Sequence, residues 1–392
     1  MSSKTKKKVL ITGSSGFLGQ HLLHSLLLSS SSSNNDNDNN DELDIYATYG
    51  SLKDFPESVR RAKDNGYRHH LHVDSLDLSN KVGVQDYLQT NGPFDVCLHL
   101  AAVSSPRICQ QDPDRARALN IPKALFDGLL LQLQQQQPEH LQKPFLLVAL
   151  STDQVYDGQN APYQNNAPTK PLNEYSKSKV DMEQYLMNGV ERTNNTQNDR
   201  DGTTPSRPLS VVCLRSSIIC GKEAPIDSDG AHKTFLHFCA SRDAQNTTFY
   251  TDECRSVIAV TDVVRILTWF VKQKEEDKQK GTEAEKKEEE VLTSKDDAHR
   301  AKRSTNSFEV YNMGGPERVS RWDIAMAVAK QQQFRSTQEW IAAEKASACH
   351  DDAAANANAV PSPLDISMDS TALETLVGFS FRGLTEIVNE TF

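Results

Sequence analysis

A short apolar run, Lys8 to Thr12, leads directly into Gly13-Ser14-Ser15-Gly16-Phe17-Leu18-Gly19, and a helical pattern follows with Leu18, Leu22 and Leu26 on one stripe. This order of strand, glycine turn and helix constrains the fold more than any other feature. Glycines permit a tight turn and the close approach of a diphosphate, and a helix N-terminus offers amide donors and the positive end of its dipole. A glycine triplet alone is weak, but between a strand and a helix at the start of a chain it is strong. Its spacing of three and three differs from the common Gly-x-Gly-x-x-Gly. Gly13, Ser15, Gly16, Phe17, Leu18 and Gly19 are therefore candidates for binding a dinucleotide. Further apolar runs at 44–48, near His70 to His72, and at 95–100, 145–150, 209–214 and 308–312 alternate with helical patterns. The expectation is an α/β chain: a Rossmann-type doubly wound parallel sheet with a smaller C-terminal α/β substrate domain.

Chemistry concentrates between Ser151 and Lys179. Ser151 and Thr152 directly follow the buried-strand pattern of Phe145 to Leu150, and Tyr175 and Lys179 form a Tyr-x-x-x-Lys pair. On a helix that spacing puts both side chains on one face. A free tyrosine titrates near ~10, too high for a ready acid at neutral pH. An ammonium about 4 Å from the phenolate, at an effective dielectric of about 20, favours ionisation by up to ~4 kcal/mol. That is roughly three pH units before the desolvation of the lysine is subtracted. The pattern therefore predicts that Lys179 lowers the pKa of Tyr175, while Thr152 holds a carbonyl beside it. An exposed helix face is the bland alternative for the pair.

Other candidates lie at strand ends, where doubly wound sheets collect ligands. Asp77 and Leu78 follow the third strand and suit an adenine. Ala101 and Ala102 follow DVCLHL and let a backbone approach a cofactor. Asn120 either faces the site or points to solvent. Ser217 and Ile218 would border a nicotinamide. Ser104, Thr152, Asp153 and Arg255 are the substrate-side candidates, and Arg255 suits either a diphosphate or a surface ion pair. The second strand is followed by Tyr49-Gly50-Ser51 rather than by the acid that NAD-preferring folds place there, and Lys53, Arg60 and Arg61 lie beyond. This favours NADP over NAD. His69, His70 and His72 have no acid or cysteine at ligand spacing, so a surface strand is the better reading and no metal is expected.

A chain of 392 residues has room for two domains. The expected division is a nucleotide-binding domain at 1–220 and a mainly substrate-binding part at 221–392. Hydrophobic content is only 37%, and polar inserts explain much of the deficit: about 29–42, about 190–208 and the charged tract of about 272–306. Gly221 to Gly230 reads as a flexible loop over a pocket. The formal net charge of −10 argues against nucleic-acid or anionic-membrane binding. The apolar run after the basic start is too short for a secretory signal, and no stretch approaches a membrane span. Seven cysteines without a Cys-x-x-Cys read as reduced, buried thiols in a cytoplasmic protein.

Taken together, the glycine motif, DVCLHLAA at 95–102, the Asn120 helix, Ser151-Thr152-Asp153, Val155-Tyr156-Asp157-Gly158, Pro162-Tyr163 and Pro171-Leu172-Asn173-x-Tyr175-x-x-x-Lys179 resemble the extended short-chain dehydrogenase/reductase superfamily. Within it, the chain is most similar to the dTDP-4-dehydrorhamnose reductase family. The resemblance covers most of 8–270 and, more loosely, 308–392. It implies an NAD(P)-dependent oxidoreductase that reduces a 4-keto-6-deoxy nucleotide-sugar. Tyr175 would protonate the C4 oxygen, Lys179 would tune Tyr175 and bind the nicotinamide ribose, and Thr152 would hold the substrate carbonyl. The same family includes the regulatory β subunit of methionine adenosyltransferase, which implies the alternative of a non-catalytic NADP-binding subunit with a partner enzyme. A nucleotide-sugar epimerase or dehydratase is a further alternative. The partners implied are a nucleotide-sugar and either a second copy of the chain or a partner enzyme.

Overall fold

The computed structural model describes residues 6–28, 43–50, 52, 54–63, 70–134, 144–199, 207–226, 233–273, 306–345 and 360–392. The polar insert at 29–42, the charged tract between 274 and 305, the Ala/Asn tract at 353–359, Lys53, His69 and Cys349 lie outside them.

The strands are β1 (Lys7–Thr12), β2 (Leu43–Tyr49), β3 (His70–Ser75), β4 (Val96–His99), β5 (Phe145–Thr152), β6 (Leu209–Ser216), β7 (Ile219–Cys220), β8 (Thr247–Tyr250), β9 (Cys254–Arg255), β10 (Ile258–Ala259), β11 (Ser307–Met313), β12 (Val319–Ser320) and β13 (Trp340–Ala343). Seven of them form one sheet in the order β11-β6-β5-β4-β1-β2-β3, with every pairing parallel. Helices α1 (Phe17–Leu28), α2 (Phe55–Lys63), α3 (Lys81–Asn91), α4 (Pro106–Gln111), α5 (Pro113–Asn120), α6 (Lys123–Gln134), α7 (Glu174–Asp199), α8 (Phe235–Ala240) and α9 (Val260–Lys272) follow one another along the chain.

Strand side chains alternate between two cores, as a period of two requires. Val9, Ile11, Ile45, Ala47, Val96, Leu98 and Val148 face α1 and α9. Leu10, Tyr46, Cys97, Leu147 and Ala149 face α3, α6 and α7. Helices on both faces make this the expected Rossmann-type sheet. The strand order reverses between β1 and β4, and ligands bind in the crevice at such a switch point. Gly13 and Ala101 meet there: a Cβ on Gly13, whose φ is +75°, would stand 2.7 Å from the Ala101 nitrogen.

A second lobe is built from the short pairs β7·β10, β9·β12 and β8·β13. Its core holds Leu236, Phe249, Val257, Ile324, Val328, Trp340 and Ile387. The expected boundary at 220 is crossed twice, because α9 packs on the first core and β11 joins the large sheet. The expected insert at 190–208 is corrected at both ends. α7 continues to Asp199 because Val190, buried at 3%, extends the apolar stripe of Met182 and Leu186. At the other end, Arg207 is buried and donates to Phe94 O (2.9 Å) and Asp95 Oδ1 (2.8 Å). Residues 221–226 of the expected loop lie against α1, where Ile226 N donates to Gln20 Oε1.

The six cysteines among the described residues are buried and free. Among the described residues, no helix is long and apolar enough to cross a membrane. None of their His, Cys, Asp and Glu side chains gather in a group that could hold a metal ion. His72 instead pairs with Asp44 at 3.0 Å and stacks on Tyr46.

Candidate active site

Thr152 is the last residue of β5, and its side chain accepts from Gln154 N at 3.3 Å as the chain turns into a short 3₁₀ segment. Tyr175 enters from the first turn of α7. That helix starts at a defined place because Asn173 caps it reciprocally. Ser176 N donates to Asn173 Oδ1 (2.9 Å), and Asn173 N donates to Ser176 Oγ (3.1 Å). Asn173 Nδ2 also donates to Gln154 Oε1 (3.1 Å) and to Pro361 O (2.9 Å), so the cap ties α7 to the turn after β5 and to the C-terminal segment.

Tyr175 packs on Cys109 and Ala116 and is 7% exposed, so the exposed-face reading of the pair does not hold. Lys179, one turn on, is buried and donates to Leu150 O at 2.9 Å. The expected tuning of Tyr175 is reversed. Burial pushes the Tyr175 phenol up, offset in part by a hydrogen bond with Thr152 and reinforced by Asp153 and Cys109. Burial likewise pulls the Lys179 ammonium down to about 8. Desolvation dominates both groups, and the lysine donates to a backbone carbonyl rather than to the phenol.

The remaining expected residues fall into three groups. Asp153 is buried beside Thr152. Burial raises its pKa, while Arg255 and a hydrogen bond from Ser217 Oγ (2.9 Å) oppose the rise. Asn120 does not point to solvent: it is fully buried, accepts from Val103 N (2.7 Å) and donates to Ser178 Oγ (2.8 Å). It therefore pins the loop after β4 to the helix of Tyr175. Ala102 and Ser104 of that loop are exposed, and Ile218 is half-buried. At the far end, Leu78 is buried outside the lining of a cavity of about 370 Å³, which the exposed Asp77 lines with Leu76, Asn80 and Tyr87.

Arg255 is not a surface residue. It is 2% exposed, and it donates to Cys254 O, Leu364 O, Pro363 O and Glu253 Oε1. Glu253 also takes Arg321 (3.1 Å) and Lys345 (2.8 Å). Arg321 stands near Asp153 as well, and nothing in sequence spacing marked it. Two further groups were missed. His99 is fully buried, with Nδ1 2.9 Å from Thr12 Oγ1 and no partner for Nε2 among the described residues; burial takes its pKa down to about 3. Glu183 lies on the stripe of Tyr175 and Lys179 and pairs with Arg215 at 2.7 Å.

The Val155-to-Tyr163 motif is a docking turn. Tyr163 OH donates to Asp157 Oδ1 (2.6 Å), its ring stacks on Tyr156, and its strand bridge is to Met368. Gly158 sits at φ +83°, where a Cβ would stand 2.9 Å from Leu364 N. This motif seats the C-terminal segment against the site.

Residues 9–283 match the model of the NAD dependent epimerase/dehydratase family. The chain belongs to that family. The β subunit of methionine adenosyltransferase 2 from Xenopus laevis is 26% identical over 191 residues, which are 47% of this chain and 44% of that protein. The chain thus spans less than half the length of that relative. A dTDP-glucose 4,6-dehydratase from Neisseria gonorrhoeae is 25% identical over 244 residues, 59% of this chain and 65% of that one. Among solved structures, dTDP-4-dehydrorhamnose reductase from Bacillus anthracis in complex with NADP superposes with a TM-score of 0.59 at 16% identity, covering 99% of this chain and 98% of that one. UDP-glucuronic acid 4-epimerase from Bacillus cereus, in complex with UDP-glucuronic acid and NAD, gives 0.63 at 17% identity, covering 98% and 97%. These likenesses carry the fold.

Proposed function

We propose that the chain is an NAD(P)H-dependent reductase of a 4-keto-6-deoxy nucleotide-sugar. The observation that carries this reading is the convergence of Thr152, Tyr175 and Lys179 in a buried cluster at the C-terminal end of β5. The sheet's switch point, where the glycine turn lies, is two strands away. The turn fits a dinucleotide: a Cβ on Gly19 would stand 2.3 Å from Gly13 O, so only a bare backbone leaves the cradle open. The first-turn amides of α1, at Phe17 and Leu18, have no intrahelical partners and suit a pyrophosphate.

When bound, a reduced nicotinamide supplies hydride. The protein's own part is to hold the ketone and give it a proton. Thr152 Oγ1 hydrogen-bonds the ketone oxygen, and the Tyr175 phenol donates its proton there as that oxygen gains charge. The raised pKa of the phenol keeps it protonated beforehand, as an acid must be. Lys179 then offsets the phenolate's charge. Asp153 and the exposed Ser104 would face the substrate, while Arg255, its donors taken by Cys254 O, Leu364 O, Pro363 O and Glu253, would act through its charge on Asp153. NADP is favoured over NAD because β2 ends at Tyr49 and Gly50 with no acid; Arg60 is held by Glu57 at 2.8 Å, which leaves the 2′-phosphate to other donors.

A second reading, a non-catalytic nucleotide-binding subunit, is favoured by the curated β-subunit relatives and by Lys179 being turned to Leu150 O. The deciding experiment follows NADPH and NADH oxidation with a freshly made dTDP-4-keto-6-deoxy sugar and its UDP counterpart. Turnover is expected. Coenzyme binding without turnover on either sugar would give the second reading the chain.

A further inference from the structure

Tyr175, Lys179 and Glu183 stand at successive turns of α7 on one stripe. Glu183, 6% exposed, accepts from Ser151 Oγ (2.5 Å) and Arg215 Nε (3.1 Å) on one oxygen and from Arg215 Nη2 (2.7 Å) on the other. Ser151 precedes Thr152 on β5, and Arg215 lies at the end of β6, two residues before the Ser217 that holds Asp153. Arg215 Nη1 continues to Tyr156 OH (3.0 Å), which donates to Asn312 Oδ1 of β11 (2.7 Å). One buried ion pair therefore joins the ends of three strands to the helix that carries Tyr175.

We propose that Glu183 and Arg215 are positioning residues that act on Lys179 through its charge: the Glu183 carboxylate, one turn away on the same buried stripe, favours the ammonium form, and Arg215 limits how much of that carboxylate's charge reaches it, while Leu150 O holds the lysine's place. The groups that face Lys179 narrow the choice. They are Cys213 on β6, Cys109 on α4, His99 on β4, and Tyr175 and Glu183 on α7. Burial pushes both thiols and the phenol up and holds the imidazole neutral. Of these, Glu183 is the one held in an ion pair, with Arg215. Without that carboxylate one turn along the same stripe, a lysine already taken down to about 8 by burial would lose its proton nearer neutrality, an effect of about one pH unit for a neighbouring opposite charge.

The catalytic consequence rests on the reductase reading; the test does not. Lys179 is titrated directly by NMR of side-chain-labelled lysine, with its signal assigned by its loss in Lys179→Arg. Glu183→Gln is expected to lower the Lys179 midpoint by about one unit or more, and Arg215→Met to raise it. Each change strands a buried charge, so the pair Glu183→Gln/Arg215→Met decides should either fail to fold; it is expected to lower the midpoint, by less than Glu183→Gln alone. A structural role alone would leave these opposed shifts absent. The proposal is overturned if Glu183→Gln leaves the midpoint in place or raises it, if both single variants shift it the same way, or if the double variant matches the parent. Missing sugar turnover in the parent would count against the reductase reading and leave this titration as it stands.

Discussion

Burial holds the Lys179 ammonium at about 8 against an ordinary 10.5, so the folded chain carries a charge that the unfolded chain solvates freely. Between those two values the unfolded chain binds more protons, and stability rises with pH. Below pH 8 the cost is fully present, roughly 3 kcal/mol at most. Lys179→Met is therefore expected to raise the melting temperature by a few degrees at pH 7. That gain should shrink as pH climbs from 8 to 10.5. A variant that melts below the parent at pH 7 would show that the lysine is held at no cost to the fold. Tyr175→Phe removes one hydroxyl from a packed site, so coenzyme binding is expected to persist while reduction falls at least ~100-fold. Parent-rate turnover by that variant would remove Tyr175 as the acid.

At the scale of elements, the glycine turn makes the sharpest contrast. A Cβ on Gly19 would stand 2.3 Å from Gly13 O and 2.7 Å from Ser14 Cα, whereas one on Gly50 meets nothing within 4 Å. Backbone cannot yield as a side chain can, so Gly19→Ala is expected to cost more than ~2 kcal/mol by denaturant unfolding and to abolish coenzyme binding, with Gly50→Ala within ~0.5 kcal/mol of the parent. Equal losses in both would mean that the turn tolerates a side chain. The same elements show what a sequence can carry. Each strand of the large sheet was legible because β-branched and aliphatic residues run there between turn residues. Tyr175 and Lys179 were legible because helical spacing needs only local geometry. Asn173 was visible only as part of a motif, since a cap is recognised by the amide it accepts from. Arg255 and Asn120 were ambiguous because burial is decided by segments more than a hundred and by 58 residues away, Leu364 and Ser178 respectively. The end of α7 was misjudged because polar residues after Val190 hid a helix held by the stripe before it.

For the molecule as a whole, the question is what the charged tract between α9 and β11 adds to the folded body. Both flanks are anchored by partners of their own: Lys7 Nζ donates to Val271 O at 2.7 Å, and Asn306 Oδ1 accepts from Leu209 N at 2.8 Å. The end of α9 therefore lies by the start of β1, while β11 is at the sheet's edge. Going from β1 through β4, β5 and β6 to β11 takes four strand steps, or about 19 Å at ~4.8 Å each. A linker of about twelve Gly/Ser residues has a root-mean-square span of roughly 20 Å and can close that gap without strain. Lengthening or shortening such a loop changes closure entropy only by about 0.6 kcal/mol per doubling. Replacing 274–305 with that linker is thus expected to leave the melting temperature within a few degrees and coenzyme affinity unchanged. A collapse in melting temperature would show that the tract packs on the body. Loss of coenzyme binding with the melting temperature kept would place it at the cleft.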